Sequence, residues 1–251
     1  VPFGGTGARI AGSVAEAVRD ADIVITMVSD ADAVMDVALR HGMLGALRPG
    51  AIWVQMSTIG IAGFDRVARA AGASRPDVAV VDAPVSGSSE AAEHGALTIF
   101  ASGPDCVSGR LQPVFDALAR RTLWLGPAGL GTRLKLASNT MVAFISQGLG
   151  EALAVAHHLN LTTDAVSDAF ETASFSSPWL SHKLSRISRG NYDAEFALGL
   201  ALKDVNLALD TLDPERHPVF TALASQWQEA ADDGSATQDL TAIARVLAEP
   251  S

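Results

Sequence analysis

The chain has 251 residues, 28 acidic and 18 basic, for a formal charge of -10. That length buries one large core or two smaller ones, and the acidic balance argues against nucleic acid or an anionic membrane as main partner, though a local basic spot still suits a small anion. The single cysteine, Cys106, excludes an intrachain disulfide framework and a cysteine metal cluster, so no metal is expected and a reducing, cytoplasmic setting fits.

No membrane segment is expected either. The nearest apolar run, residues 136–149, falls short of the roughly 18 to 20 residues a span needs and holds Ser138, Asn139, Ser146 and Gln147. The sequence opens on Val1, without a basic leader, and its glycine-rich start reads as a cut.

Residues 8–11 are expected to form a short strand. Ser13 with Glu16 three residues on has capping-box spacing and predicts a helix to Arg19. Residues 22–28 read as an Ile/Val strand buried on both faces of a parallel sheet. A helix over 32–40, a Pro49-Gly50 turn and a strand over 51–55 follow. Ser57 and Thr58 come next, where hydroxyls either cap the following helix or face a ligand in an open sheet; local pattern favours the cap. A helix over 64–71 and a strand over 78–81 lead to Asp82-Ala-Pro-Val-Ser-Gly-Ser-Ser89. That stretch offers hydroxyls and unhindered N–H groups to an oxyanion, or is an ordinary polar loop. A strand over 96–101, a helix over 106–118 and a strand over 122–125 complete a β-α-β alternation, the pattern of a three-layer α/β domain.

A dinucleotide fold should carry G-x-G-x-x-G after its first strand. Gly5 and Gly7 have the first spacing, but Ile10 ends the match; Gly126, Gly129 and Gly131 are wrongly spaced.

After Gly131 the pattern is helical almost throughout. The glycine-rich turn at 129–131 leaves N–H groups at a helix start, where an anion can approach. Lys135 and Asn139 then stand one turn apart. They read as a site at a domain junction, or as a snorkelling lysine and a satisfied core amide. Leu134, Met141, Ile145 and Leu149 form a stripe that Val142, Phe144 and Leu153 widen into a buried helix. Further helices are predicted over 163–170, from Ser176-Ser-Pro-Trp179, over 196–212, 219–231 and 240–247, with a loop at 191–193. Within 196–212, Lys203 needs a partner among its Leu and Ala neighbours; Asp204, on another part of the helix face, is a poor candidate. Only Lys135, Lys183 and Lys203 among the 18 basic residues are lysines. A compact ammonium with a movable pKa is one reason for a lysine where arginine prevails, and chance is the other.

Asp82-Ala-Pro-Val-Ser-Gly, Gly129-x-Gly-x-x-x-Lys135-x-x-x-Asn139 and Phe196 with Lys203-Asp204, in this order, resemble the β-hydroxyacid dehydrogenases, the family of 3-hydroxyisobutyrate dehydrogenase and tartronate semialdehyde reductase. The resemblance runs from Ser13-x-x-Glu16 through Ile25-Thr-Met27 and Met56-Ser-Thr-Ile59 to the C-terminal helices. It implies an α/β, incomplete Rossmann-type NAD(P)-binding domain over 1–127. An all-helical, 6-phosphogluconate dehydrogenase-like substrate and dimerisation domain then covers 128–251. It implies NADP or NAD as cofactor, a small 3-hydroxy acid or semialdehyde as substrate, and a homodimer or homotetramer.

By the same resemblance Lys135 is the catalytic lysine, and Asn139, Ser86, Gly87 and Ser88 bind substrate. Met27, Val28, Thr58, Lys203 and Asp204 contact cofactor. Ser88 replaces the family's usual glycine and Ser29 its usual proline. The family's first strand-turn-helix and second strand, with the pyrophosphate cradle, are expected to precede this sequence. A decarboxylating 6-phosphogluconate dehydrogenase would carry His where Ser138 stands, and an imine reductase would lack the lysine. Two alternatives stay open: a non-catalytic oligomerisation scaffold, and a reductase of a different small carbonyl.

Overall fold

In the computed structural model, residues 5–248 are described. The chain divides into two units, Val1–Lys135 and Leu136–Ser251.

In the first unit, Ser13 Oγ accepts from the N–H of Glu16 at 3.2 Å and opens helix α1 (Val14–Val18). Glu16 reaches back to the N–H of Gly12 at 2.9 Å, so the capping box closes one residue early. The strand expected at 8–11 is not formed. Those residues are mostly exposed, and Arg9 turns instead to Glu16 at 2.8 Å.

Strand β1 (Ile23–Thr26), helix α2 (Ala31–Met35), short α3 (Met43–Ala46), β2 (Ile52–Gln55), α4 (Gly60–Ser74) and β3 (Ala79–Asp82) follow in turn. A wider π-type turn, Asp36–Arg40, continues α2. Next come β4 (Val85–Ser86), α5 (Ser89–Glu93), β5 (Leu97–Ala101), α6 (Ser108–Leu118) and β6 (Ala119–Trp124).

Strands β1, β2 and β3 are parallel and in that order. The β-α-β expected over 96–125 is formed, β5 running parallel to β6 with α6 between them, in a second three-stranded sheet to which the unexpected β4 adds antiparallel to β5. Pro84, which has no N–H to give, separates β3 from β4. The sheets are tied at Asp82 and Ser102, whose backbones exchange hydrogen bonds of 2.9 and 2.8 Å.

All four residues of β2 are buried, and its alternation divides the core. Trp53 faces a cluster with Val34, Leu44, Phe64 and Val67, while Ile52 and Val54 join Val81, Ile99, Leu111 and Phe115. A middle strand covered on both faces is what its unbroken apolar run dictates.

Helix α7 (Leu130–His158) begins in the first unit, and its later turns belong to the second. The second unit adds α8 (Thr163–Glu171), α9 (Pro178–Ser188), α10 (Leu198–Leu209), α11 (Pro218–Ala230) and α12 (Ala242–Ala248). Thr162 and Ser177 cap α8 and α9 through their hydroxyls, with Pro178 in the first turn of α9. Leu149, Leu153, Val166, Leu180, Leu184 and Ala244 form one core cluster.

The expected helix over 196–212 is shorter at both ends. Asp239 accepts from the N–H of Phe196 at 3.2 Å, and Ala197 makes a β-bridge to Asp239, so α10 starts at Leu198. Two polar ties cross this unit. Trp227 Nε1 donates to Gln147 Oε1 at 2.9 Å, and Gln147 Nε2 donates to Gln226 at 2.7 Å. Lys183, 3% exposed, donates to both oxygens of fully buried Asp239 at 2.9 and 3.0 Å and to Glu195 at 2.9 Å. Among the described residues no helix is long and apolar enough to cross a membrane.

Candidate active site

The carboxyl ends of parallel strands are where an open α/β sheet receives its ligands. Met27 and Val28 follow β1 there, and both are exposed, Met27 to 55%. The N–H of Val28 donates to Ser57 Oγ at 2.8 Å, so the ends of β1 and β2 are linked. Behind them Gln55 Oε1 accepts from the N–H of Ser57 at 2.8 Å, Gln55 Nε2 donates to Ser57 O at 2.7 Å, and Trp53 Nε1 donates to Thr26 Oγ1 at 3.0 Å. The helix-capping expectation for Ser57 and Thr58 is thereby corrected: α4 has Ile59 at its cap position with no side-chain hydrogen bond. Ser57 is occupied by the neighbouring strand, and Thr58 is half-buried beside it.

Strand β3 ends in fully buried Asp82. One carboxylate oxygen accepts from the N–H of Thr132 at 2.7 Å, the other from Thr132 Oγ1 at 2.7 Å. Ser102 Oγ receives the N–H of Gly131 at 2.9 Å and lies 3.3 Å from Asp82 Oδ2. Two of the four unpaired N–H groups that open a helix are thus satisfied by side chains from β3 and the end of β5. Burial pushes the Asp82 carboxyl above its usual pKa, against the opposing pull of Thr132 and Ser102. Gly131 has no room for a side chain, since a Cβ there would stand 2.2 Å from Phe100 O and 2.9 Å from Asp82 O.

Beyond Pro84, Ser86 lies in β4 and is half-buried, and Gly87 has φ +141° with a virtual Cβ only 2.7 Å from Leu97. The backbone angle calls for glycine, whereas the near atom is the tip of the Leu97 side chain, which can move aside. Ser88 Oγ accepts from the N–H of Ala91 at 3.3 Å and caps α5, a helix absent from the sequence expectation.

Lys135, half-buried, and Asn139, buried, stand one turn apart on α7. Within the second unit Asn139 Nδ2 donates to Asp204 Oδ2 at 2.5 Å. Lys203 Nζ lies 3.0 Å from Asp204 Oδ1, an ion pair whose alignment falls short of a hydrogen bond. This corrects the expectation that Asp204 is a poor partner for Lys203. Adjacent helical positions point about 100° apart, but the four-carbon stem of lysine spans that angle.

Two family profiles match consecutive parts of the chain. They are the NAD binding domain of 6-phosphogluconate dehydrogenase over residues 2–126 and the NAD-binding region of NADP-dependent 3-hydroxyisobutyrate dehydrogenase over 129–247. An uncharacterized oxidoreductase of Shewanella frigidimarina is 32% identical over 206 residues, 81% of this chain and 70% of that protein. The chain belongs to the β-hydroxyacid dehydrogenase family. Glyoxylate/succinic semialdehyde reductase 1 of Arabidopsis thaliana is 28% identical over 240 residues, covering 94% of this chain and 82% of its own. The 3-hydroxyisobutyrate dehydrogenase of Mycobacterium tuberculosis, solved with L-serine, is 26% identical with a TM-score of 0.81, covering 95% of this chain and 84% of that one.

As a β-hydroxyacid dehydrogenase the protein is an oxidoreductase whose cofactor is NAD or NADP. The surface at the carboxyl ends of β1 and β2 suits such a group. Exposed Met27 and Val28 present apolar surface there, and Thr58 is half-buried beside them. Asp82 is the residue whose part sequence reasoning missed. An aspartate at a strand end, two residues before a Pro, is a visible signal, but its partner lies 50 residues away.

Proposed function

We propose that this β-hydroxyacid dehydrogenase interconverts a small 3-hydroxy acid and its semialdehyde, with Lys135 moving the hydroxyl proton. The observation that supports this most is the placing of Lys135 and Asn139 on successive turns of a helix whose start is tied down by Asp82 and Ser102. When bound, NAD or NADP takes or gives the hydride at C3. Lys135 as free amine takes the proton of the C3 hydroxyl in oxidation; as ammonium it polarises and protonates the aldehyde oxygen in reduction. Asn139 holds the substrate with a neutral hydrogen bond that leaves the charge of Lys135 intact. Ser86 and the N–H groups of Gly87 and Ser88 hold the carboxylate. The Ser88 hydroxyl is engaged by α5, so the main chain at 88 does this work.

Met27, Val28, Thr58, Lys203 and Asp204 contact the cofactor. Residues 1–127 serve the cofactor, residues 128–251 the substrate and self-association into a homodimer or homotetramer. Serine at 88, where the family usually has glycine, supports a second reading: a related reductase with a different small carbonyl substrate.

The test uses the protein expressed from its complete reading frame, assayed with NAD and NADP against 3-hydroxyisobutyrate, glycerate and the corresponding semialdehydes. Turnover of one such pair, with kcat/KM lowered about 10²- to 10⁴-fold in Lys135→Ala, is expected. No hydride transfer with any of them, or an unimpaired Lys135→Ala enzyme, overturns the proposal.

A further inference from the structure

Asn139 is 6% exposed and Asp204 4%, and their side chains meet from α7 and α10. An asparagine amide has two ends of nearly equal shape, one donating and one accepting, and a carboxylate accepts only. The 2.5 Å contact therefore decides which end of Asn139 faces α10: Nδ2 must, because Oδ1 against a carboxylate would set two acceptors together. Oδ1 is turned the other way, and among the described residues no hydrogen bond reaches it. Asp204 is itself held, since its second oxygen stands 3.0 Å from Lys203 Nζ. A buried carboxylate with a cation on one side and an amide on the other has little freedom to rotate.

We propose that Asp204 is a positioning residue that locks the Asn139 amide with its carbonyl oxygen outward, so that Asn139 offers an acceptor and the ligand must supply a donor. In the reaction proposed above, on which this inference rests, the single proton of the C3 hydroxyl goes to Lys135, so that donor is a second group of the acid, such as a C2 hydroxyl as in glycerate. The site then discriminates in favour of acids that carry such a donor and against ligands presenting only acceptors at that point. Asp204 exerts this through Asn139 and does not itself touch the substrate.

The experiment has one arm that needs no turnover. In the full-length protein the side-chain amide hydrogens of Asn139, followed by NMR with selective labelling, exchange slowly. In Asp204→Asn, whose own amide pairs with either end of Asn139, they exchange about tenfold faster or more. The second arm is kinetic. Asp204→Asn lowers kcat/KM for the hydroxy acid about 10- to 100-fold while the KM of the cofactor changes by less than about twofold. The exchanged pair Asn139→Asp with Asp204→Asn regains the melting temperature of the wild type, because a donor again meets a carboxylate, but not its activity.

Unchanged amide exchange in Asp204→Asn overturns the inference, and so does a loss confined to cofactor KM, which would mean that Asp204 acts through Lys203. Slow exchange that depends on Asp204, in a protein that turns over none of the substrates, leaves the hold on Asn139 standing and removes the proposed reaction instead.

Discussion

Asp82 and Thr132, one ending a strand and the other in the first turn of α7, share two hydrogen bonds of 2.7 Å, so a residue of the sheet caps a helix 50 positions later. Asp82→Ala strips a buried N–H and a buried hydroxyl of their acceptor. The variant is expected to lose about 2 kcal/mol or more, measured by urea unfolding. Because burial raises the folded pKa of Asp82, its titration favours the fold most below the unfolded value near pH 4, and that contribution is lost as pH rises through the folded pKa. Asp82→Asn should flatten this fall with rising pH, read from unfolding free energies at a series of pH values.

The two carboxylates that hold Lys183 titrate in the opposite sense. Burial pushes Asp239 and Glu195 up, but Lys183, joined by Thr241 and the Phe196 N–H at Asp239 and by His182 at Glu195, outweighs it and both end below their ordinary values. Their contribution is full above the unfolded carboxylate range near pH 4 and is lost as pH falls through the lowered folded values. Lys183→Met leaves Asp239 buried without its cation and should cost about 3 to 5 kcal/mol at neutral pH. Acid titration of the variant, followed by circular dichroism, should show this component of the low-pH transition gone.

Two glycines of α7 should respond in opposite directions. Gly131→Ala forces a methyl to within 2.2 Å of a backbone oxygen and is expected to destabilise by about 3 kcal/mol or more. Gly148→Ala meets nothing within 4 Å on an exposed helical face and should stabilise by about 0.5 to 1 kcal/mol. Thermal melts of the two variants side by side check both signs.

Lys135→Arg keeps a positive charge that does not deprotonate near neutral pH. Oxidation, which needs a free base, should fall at least about a hundredfold in kcat/KM, and reduction with it, because the equilibrium constant fixes the ratio of the two. Initial rates in both directions, followed by nicotinamide absorbance, check this; a loss below about tenfold would speak against Lys135 as the base.

Local physics was legible in the chain. Ser13 with Glu16 and Pro178 in a first turn each carry their own structural cause and stand where the pattern puts them, while the run read over 22–28 forms a strand only at 23–26, with Ile25 40% exposed instead of buried on both faces. The failures lie where the partner is remote or a stem is flexible. Ser57 looked like a cap because nothing in its neighbourhood announces that Val28, 29 residues earlier, needs its oxygen. Lys203 was denied Asp204 by counting helical angles, which ignores the reach of a lysine. Val85 and Ser86 pair with Ile99 and Thr98, a register that two residues flanked by Pro and Gly cannot signal. At the candidate site, residue types and spacing were visible, whereas the tie between Asn139 and Asp204 spans 65 positions and emerges only on folding.

Gln55 gives β2 something its apolar neighbours lack. A strand of Ile, Trp and Val covered on both faces could slide by one residue and still be buried, at the price only of repacking. Gln55 ends that indifference, for its amide is keyed at both ends to the main chain of Ser57 and its oxygen lies 3.4 Å from Thr26 Oγ1 on the neighbouring strand. The bonds to Ser57 travel with the strand, but a slip would break the Thr26 contact and with it the bonds from Trp53 Nε1 to Thr26 Oγ1 and from the Val28 N–H to Ser57 Oγ. These polar ties together favour one alignment of β1 and β2, and with it the height at which Met27 and Thr58 leave the sheet.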